Sequence, residues 1–317
     1  STVNADQAAE EAVKAIVAAE GQVTIVIDDF HFIPVDTRIE LLRALKQVVW
    51  NGATVVLVTL PHRQPETDST QLGGRTATVR VKEWDEADLE QIASLGLPKL
   101  NLTDPTGLGA RLASASYGSP QIMQHLCLEL VETVNGVLTT RESPLPLVEP
   151  ADWQTFHQTV SDDGATKWVE RFIGGPPVRG QKRKTHTLID GRTFDGYQVI
   201  IAALKELGPP LSLSTAELTA KIDEMMQDTK AVDVSVGRKL AQMSEIAAKP
   251  LRAKLNEADT EDVSPDKLFD QDVNDPAAGD PQPVFEYTPD AVKNTIHILE
   301  PYVAYTIRWH VDSLLSA

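Results

Sequence analysis

Residues 21–34, GQVTIVIDDFHFIP, run a β-branched aliphatic stretch straight into two aspartates. Adjacent carboxylates repel each other, and each costs free energy to desolvate. Asp28 and Asp29 therefore call for a partner of opposite charge. At the carboxyl end of a parallel strand, where α/β sheets bind ligands, that partner is a hydrated Mg²⁺ carried by a nucleotide's phosphates. Asp28 would orient the ion and Asp29 would align an attacking water. The competing reading is a pair of solvated loop acids capping the next helix. His31 follows, placed either to touch a phosphate or a neighbouring subunit, or simply to pack on that helix.

Such acids need a sheet to hold them. VTIVI reads as a strand buried on both faces, preceded by an apolar-periodic helix over 5–20 that Gly21 stops. PVDTRIELLRALKQVVWNG predicts a second helix, with Ile39, Leu42, Leu45 and Val49 on one face and Asn51-Gly52 at its C-terminus. ATVVLVTL is then a second buried strand. Helix, strand, helix, strand with continuous apolar strands is the pattern of a parallel α/β sheet. ATVRVKEW, residues 77–84, predicts a third short strand.

Helices are expected over DEADLEQIASLG and over GLGARLASASYGSPQIMQHLCLELVETVNG. Residues 139–192 are rich in proline, glycine and charge, and read as an extended connection with one short helix at DWQTFHQTV. From Thr193 onward, FDGYQVIIAALKELG, STAELTAKIDEMMQD and SVGRKLAQMSEIAAKP predict three helices in succession. Glu217 is placed for a capping box at the start of the second. An acidic, proline-rich stretch follows over 256–283. VFEYT is a strand candidate, and HILEPYVAYTIRWHVDSLL predicts a closing apolar helix with Pro301 near its start. Three helices and a hairpin-like segment suggest a winged helix-turn-helix.

With 317 residues, 42% hydrophobic and 24% charged, the composition is that of a globular chain of two or three domains. One cysteine, Cys127, excludes an internal disulfide framework and fits a reducing compartment. No long apolar run or signal peptide is visible, so a cytoplasmic protein without membrane contact is expected. The net charge of −17 argues against coating nucleic acid through the overall field. RGQKRKTHTLIDGR is a local exception, in which Lys182, Arg183 and Lys184 form either a solvated basic segment or a phosphate contact. Arg238 and Lys239 open the third C-terminal helix and are the other candidate nucleic-acid contacts. Asp223, Glu224, Asp228, Glu245 and the acidic stretch surround them, so a protein partner is expected over DNA. The histidines and the cysteine show no metal-ligand spacing, and no Gly-x-Ser-x-Gly occurs.

VTIVIDD closely resembles the Walker B segment of P-loop ATPases. ATVVLVTLPHR looks like the sensor strand beside it, and ASYGSPQIMQHLCLELV resembles the helical lid of AAA+ and STAND-type ATPases. The Asp-Asp ending and a sensor arginine are commoner among STAND proteins. ILEPYVAYTIRWH is similar to the last winged-helix segment of prokaryotic relatives. The resemblance covers most of the chain through short motifs. It implies an α/β plus α fold: the C-terminal half of a parallel-sheet P-loop NTPase core over 1–82, a helical lid over 83–140, a connector with the basic cluster over 141–192, and a winged-helix domain over 193–317. ATP and Mg²⁺ are the implied cofactors, with Asp28 holding the ion through water. Asp29, Thr59 and Arg63 would be catalytic, and Gly118, Ser119 and Pro120 would pack near the base. Arg75, on a Gly-rich loop, is an arginine-finger candidate or a surface arginine. Arg111 is a lid arginine or one partner of a helix surface pair.

A P-loop ATPase also needs Gly-x-x-x-x-Gly-Lys-Ser/Thr to cradle phosphates. The residues before β-branched VTIVI hold no such loop. GPPVRGQKRKT has Gly175 and Gly180 at the right spacing, but Gln181 stands where lysine is required. Either that half of the domain lies outside these 317 residues, or this is a degenerate relative that cannot bind ATP. The implied function is a nucleotide-driven switch in a homo-oligomer or multi-subunit assembly for DNA processing, defence or signalling. Its rival is a non-enzymatic winged-helix adaptor carrying an ATPase remnant as scaffold. The chain by itself is expected to have no ATPase activity.

Overall fold

Thr24–Ile27 (β1) and Thr54–Leu57 (β2) pair in parallel, with Thr24 opposite Thr54 and Ile27 opposite Leu57. The helix between them, α1 (Val35–Trp50), turns Leu42, Leu45 and Val48 inward, where Phe30 and Ala53 are also buried. This i, i+3, i+6 row replaces the expected face through Ile39, which is 37% exposed. The computed structural model describes residues 24–30, 33, 35–50, 52–59, 76–178, 182–227, 230–257, 284–289 and 294–316. Two units divide the chain, Ser1–Lys82 and Glu83–Ala317.

The strands are not buried on both faces. Val26 is 61% and Val56 41% exposed, while Ile25, Ile27, Val55 and Leu57 are half-buried. A continuous apolar run signals cover on both sides, and among the described residues only one side has it. Nor is 77–84 a strand: Val79 and Val81 stand 84% and 85% exposed, outside any regular element. Alternation is present there, but a strand needs a ladder partner for its amides, and no described residue provides one.

The second unit opens with α2 (Glu86–Gly96), whose N-cap Asp85 accepts the amide of Asp88 at 2.8 Å. A 3₁₀ turn, Leu97–Leu100, leads to β3 (Leu102–Thr103), which pairs in parallel with β4 (Leu145–Pro146). Between them the helical stretch is split into α3 (Leu108–Ser114) and α4 (Pro120–Glu129). Tyr117 and Gly118 break it, with φ of 52° and 70°.

Residues 139–192 are not an extended connection. They form α5 (Trp153–Thr159), α6 (Asp163–Gly174) and an antiparallel pair, β5 (Thr185–Thr187) with β6 (Thr193–Asp195). Phe156, Val160, Trp168, Val169 and Phe172 are all buried. Asp152 and Asp162 cap the two helices, so their polar flanks are helix starts rather than linker.

Then come α7 (Gly196–Glu206), β7 (Ser212–Ser214), α8 (Thr215–Met225), the single turn α9 (Ala231–Val234) and α10 (Val236–Glu257). Ser214 and Glu217 do form a capping box. After β8 (Phe285–Thr288), the expected closing helix starts late: Thr295–Ile298 is a strand, β9, with Ile296 and Ile298 buried. The three strands make an antiparallel sheet in the order β7-β9-β8. Pro301–Trp309 (α11) and Val311–Ser316 (α12) close the fold. Residues 302–307 of α11 are buried in succession, because the helix packs against α5, α6 and α7 together. One hydrophobic cluster runs from Leu89 to Val311, so 83–140, 141–192 and 193–317 share a single core.

Candidate functional site

The register of β1 and β2 carries Asp28 and Asp29 to the strand end occupied by Val58 and Thr59. Ile27 accepts the amide of Val58 at 2.9 Å, and Val58 accepts that of Phe30 at 2.9 Å. The two ends thus stay hydrogen-bonded across the acids. Asp29 adopts the left-handed conformation, φ 52°, which aspartate tolerates better than most residues. Oδ1 of Asp28 accepts the Asp29 amide at 2.9 Å and fixes the turn, while fully buried Phe30 anchors its far side. Asp28 is exposed; Asp29 and Thr59 are half-buried. One carboxylate oxygen of Asp28 is thus spent on the turn. His31, Arg63 and Arg75 lie outside the described residues.

Gly118, Ser119 and Pro120 form a helix-to-helix corner. A Cβ at Gly118 would come within 3.0 Å of Cβ of Glu83 and 3.4 Å of the carbonyl of Trp84. The Ser119 hydroxyl accepts the amide of Ile122 at 3.4 Å, and Pro120 occupies the first turn of α4. Burial raises the pKa of neighbouring Tyr117, partly offset by the Arg308 guanidinium. Arg111 lies 3.6 Å from Glu149 and 3.7 Å over the Trp153 ring.

The basic residues, scattered in sequence, converge. Arg183, Lys184, Arg238 and Lys239 line one cleft of about 250 Å³ with His186, Tyr197 and Gln242. Arg183 pairs with Asp195 at 2.9 Å, Lys184 with Asp233 at 3.9 Å. Lys239 donates to the carbonyl of Val234 and sits 5.7 Å from the centroid of Tyr197. Its pKa is lowered, by burial first and by Arg238 and Arg183 among its neighbours. Burial likewise lowers that of His186. Lys182 faces an adjoining depression of about 520 Å³ lined by Gly174–Val178. The aromatic floor and the two counter-carboxylates are not legible in the sequence, since β5 reads as part of the connector, Phe194-Asp195 of β6 reads as the first turn of a helix, and nothing singles out Asp233.

Among the described residues, no helix is long and apolar enough to cross a membrane. No family model matches the chain, and no curated protein matches it. Among solved structures, the crystal structure of Cdc6p from Pyrobaculum aerophilum aligns with 100% of this chain and 72% of that one, at 10% sequence identity and a TM-score of 0.32.

Proposed function

We propose that the chain is part of a nucleotide switch of the AAA+/STAND class, whose acid pair works on a Mg²⁺-bound nucleotide. The in-register parallel pairing of β1 and β2 carries this reading, because it sets Asp28-Asp29 and Thr59 at adjacent strand ends. Mg²⁺ keeps most of its waters and accepts one or two carboxylates beside the phosphates. Asp28, an exposed hard-oxygen donor with one oxygen left over from its turn, suits that task. When bound, the ion neutralises phosphate charge. Asp29 orients the attacking water, Thr59 donates to the terminal phosphate, and Arg63 supports it. Arg75 reaches a neighbouring subunit's nucleotide in a homo-oligomer.

The phosphate-cradling loop belongs, in this reading, to a segment outside these 317 residues. Two observations support that placement. Among the described residues nothing covers the Val26/Val56 side of the strand pair, and none gives the alternating segment 76–84 a ladder partner. The winged-helix assignment rests on the order α7, β7, α8, α10, β8, β9 with sheet order β7-β9-β8. Since 83–317 share one core, lid and winged helix would turn as one body when nucleotide state changes. The test is binding of a fluorescent ATP analogue, with and without Mg²⁺, by the complete gene product. Mg²⁺-dependent binding weakened by Asp28→Asn is the expected result. A complete product that lacks the Gly-x-x-x-x-Gly-Lys loop and binds no nucleotide would make the protein an adaptor.

A further inference from the structure

The cleft between β5, the start of α7 and the start of α10 is built around crowded cations. Four line it, and only Asp233 among its lining residues is an anion, with Asp195 behind Arg183. Two glycines make the room. A Cβ at Gly196 would fall 2.3 Å from Cε of Lys239, and one at Gly175 would fall 2.7 Å from the Tyr197 ring. Between them Tyr197, 4% exposed, is held by Gln242 and flanked by Arg183 at 4.8 Å and Lys239 at 5.7 Å. Cations on an aromatic face keep their charge while partly desolvated. Lys239 spends one of three donors on Val234. Arg238 has no ion pair among the described residues, and its five donors suit a phosphate's oxygens.

We propose that this cleft binds a phosphate ester borne by a small molecule, with Arg238 and Lys239 meeting the phosphate and Arg183 and Lys184 as fixed flanking charges. At about 250 Å³ it falls just below the ~300–1,000 Å³ of sites that enclose whole drug-sized ligands. A phosphate and the few atoms carrying it fill that space. Duplex DNA is the poorer fit, because its phosphates sit on a convex rod and need cations that project. Lys239 and Arg183 are instead sunk beside a buried ring.

The experiment is calorimetric titration of the full chain with inorganic phosphate and with glycerol 3-phosphate, against sodium chloride and acetate at matched ionic strength. Both phosphates are expected to bind with a dissociation constant on the order of millimolar or below, and chloride and acetate not to bind. Arg238→Ala, at an exposed position, should weaken binding at least tenfold with unchanged circular dichroism. Gly196→Ala displaces only the flexible end of Lys239 and should do the same. Wild-type affinity in both variants, or an equal response to chloride or acetate, would overturn the assignment. So would a short DNA duplex that binds at physiological salt more tightly than the esters and loses that binding in Arg238→Ala.

Discussion

The imidazole of His157 lies flat on the indole of Trp309, ring centroids 3.9 Å apart and planes 14° apart. Its Nδ1 meets the Tyr305 hydroxyl at 3.0 Å, and that hydroxyl donates to the carbonyl of His157 at 3.0 Å. The carbonyl of Trp309 accepts from Gln154 at 3.1 Å and Gln158 at 3.0 Å. His125 on α4 meets the Tyr302 hydroxyl at 2.9 Å. Polar contacts therefore tie α11 to both α4 and α5. Parting α11 from α5 would strand the buried polar groups of His157 and Tyr305, at about 1–3 kcal/mol each. The contacts of Gln154, Gln158 and His125 are more exposed and cost less to lose. A switch built on this chain would not hinge between these helices.

The stack makes stability sensitive to acid. The pKa of His157 is lowered to about 4, by burial first, then by Arg111 and Arg308. The folded state thus favours neutral imidazole, and the unfolded chain, near the ordinary 6.5, takes up the proton first. The contribution is complete above pH 6.5 and is lost as pH falls from there towards 4, by at most roughly 3 kcal/mol. Thermal melts should show a midpoint steady from pH 7 to 8 and falling below 6. His157→Phe keeps a ring on Trp309 and removes the titration, so its profile should be flatter over that window. Parallel profiles would remove His157 as the cause.

At the acid pair, Asp29→Asn is a clean variant, because asparagine also tolerates the left-handed conformation at φ 52°. If the complete gene product hydrolyses ATP as proposed, the variant should lower turnover about 100-fold or more and leave nucleotide affinity nearly unchanged. Asp28→Asn should weaken Mg²⁺-dependent binding as well. Steady-state turnover and binding measured on both variants decide the matter; wild-type rates in each would end the proposed roles.

The Gly-Ser-Pro corner has a structural cost that can be separated from any contact with nucleotide. Gly118→Ala meets both the left-handed penalty and the close approach of Glu83, and should destabilise by about 1–2 kcal/mol. Ser119→Ala loses the cap of α4, about 1 kcal/mol. Urea unfolding of the 317-residue chain reads both. Loss of nucleotide affinity in the complete protein at unchanged stability would instead mark Ser119 as a binding residue.

What could be read from the residues followed signal length. Asp28-Asp29 after VTIVI, and Ser214 with Glu217, are dense local signals, and their strand end and capping box are present. Ser212–Ser214 was missed because it is three residues long and is a strand only through a partner more than 80 residues away. Thr295–Ile298, which pairs with both that strand and β8, overlaps the start of the expected closing helix. The helix α6 was hidden by Gly164, Gly174 and the prolines beyond it, although Trp168, Val169 and Phe172 share one face. The basic cleft was legible only in halves, since β6 is what brings Arg183 to Tyr197 and Lys239. Burial of both strand faces was inferred from composition alone, and composition does not say whether the covering layer is in the same segment.

That last point yields a test at Val79 and Val81. Both side chains are more than four-fifths exposed, and no backbone hydrogen bond joins 76–84 to another described residue. Replacing both valines by threonine removes little buried area, so stability of the 317-residue chain should move by less than about 0.5 kcal/mol. The amides of 76–84 should exchange with solvent at nearly unprotected rates. If the segment pairs with a strand of the phosphate-binding half, the complete protein behaves differently. Its valines are then buried, at about 1.5–3 kcal/mol for each such side chain, and the double substitution becomes clearly destabilising. Its amides gain protection, over alternate residues if the segment is an edge strand and over all of them if it is central. Hydrogen exchange on both forms reads this directly. Strong protection of 76–84 in the 317-residue chain would mean that its partner is already within the chain, and would remove one of the two supports for a missing half.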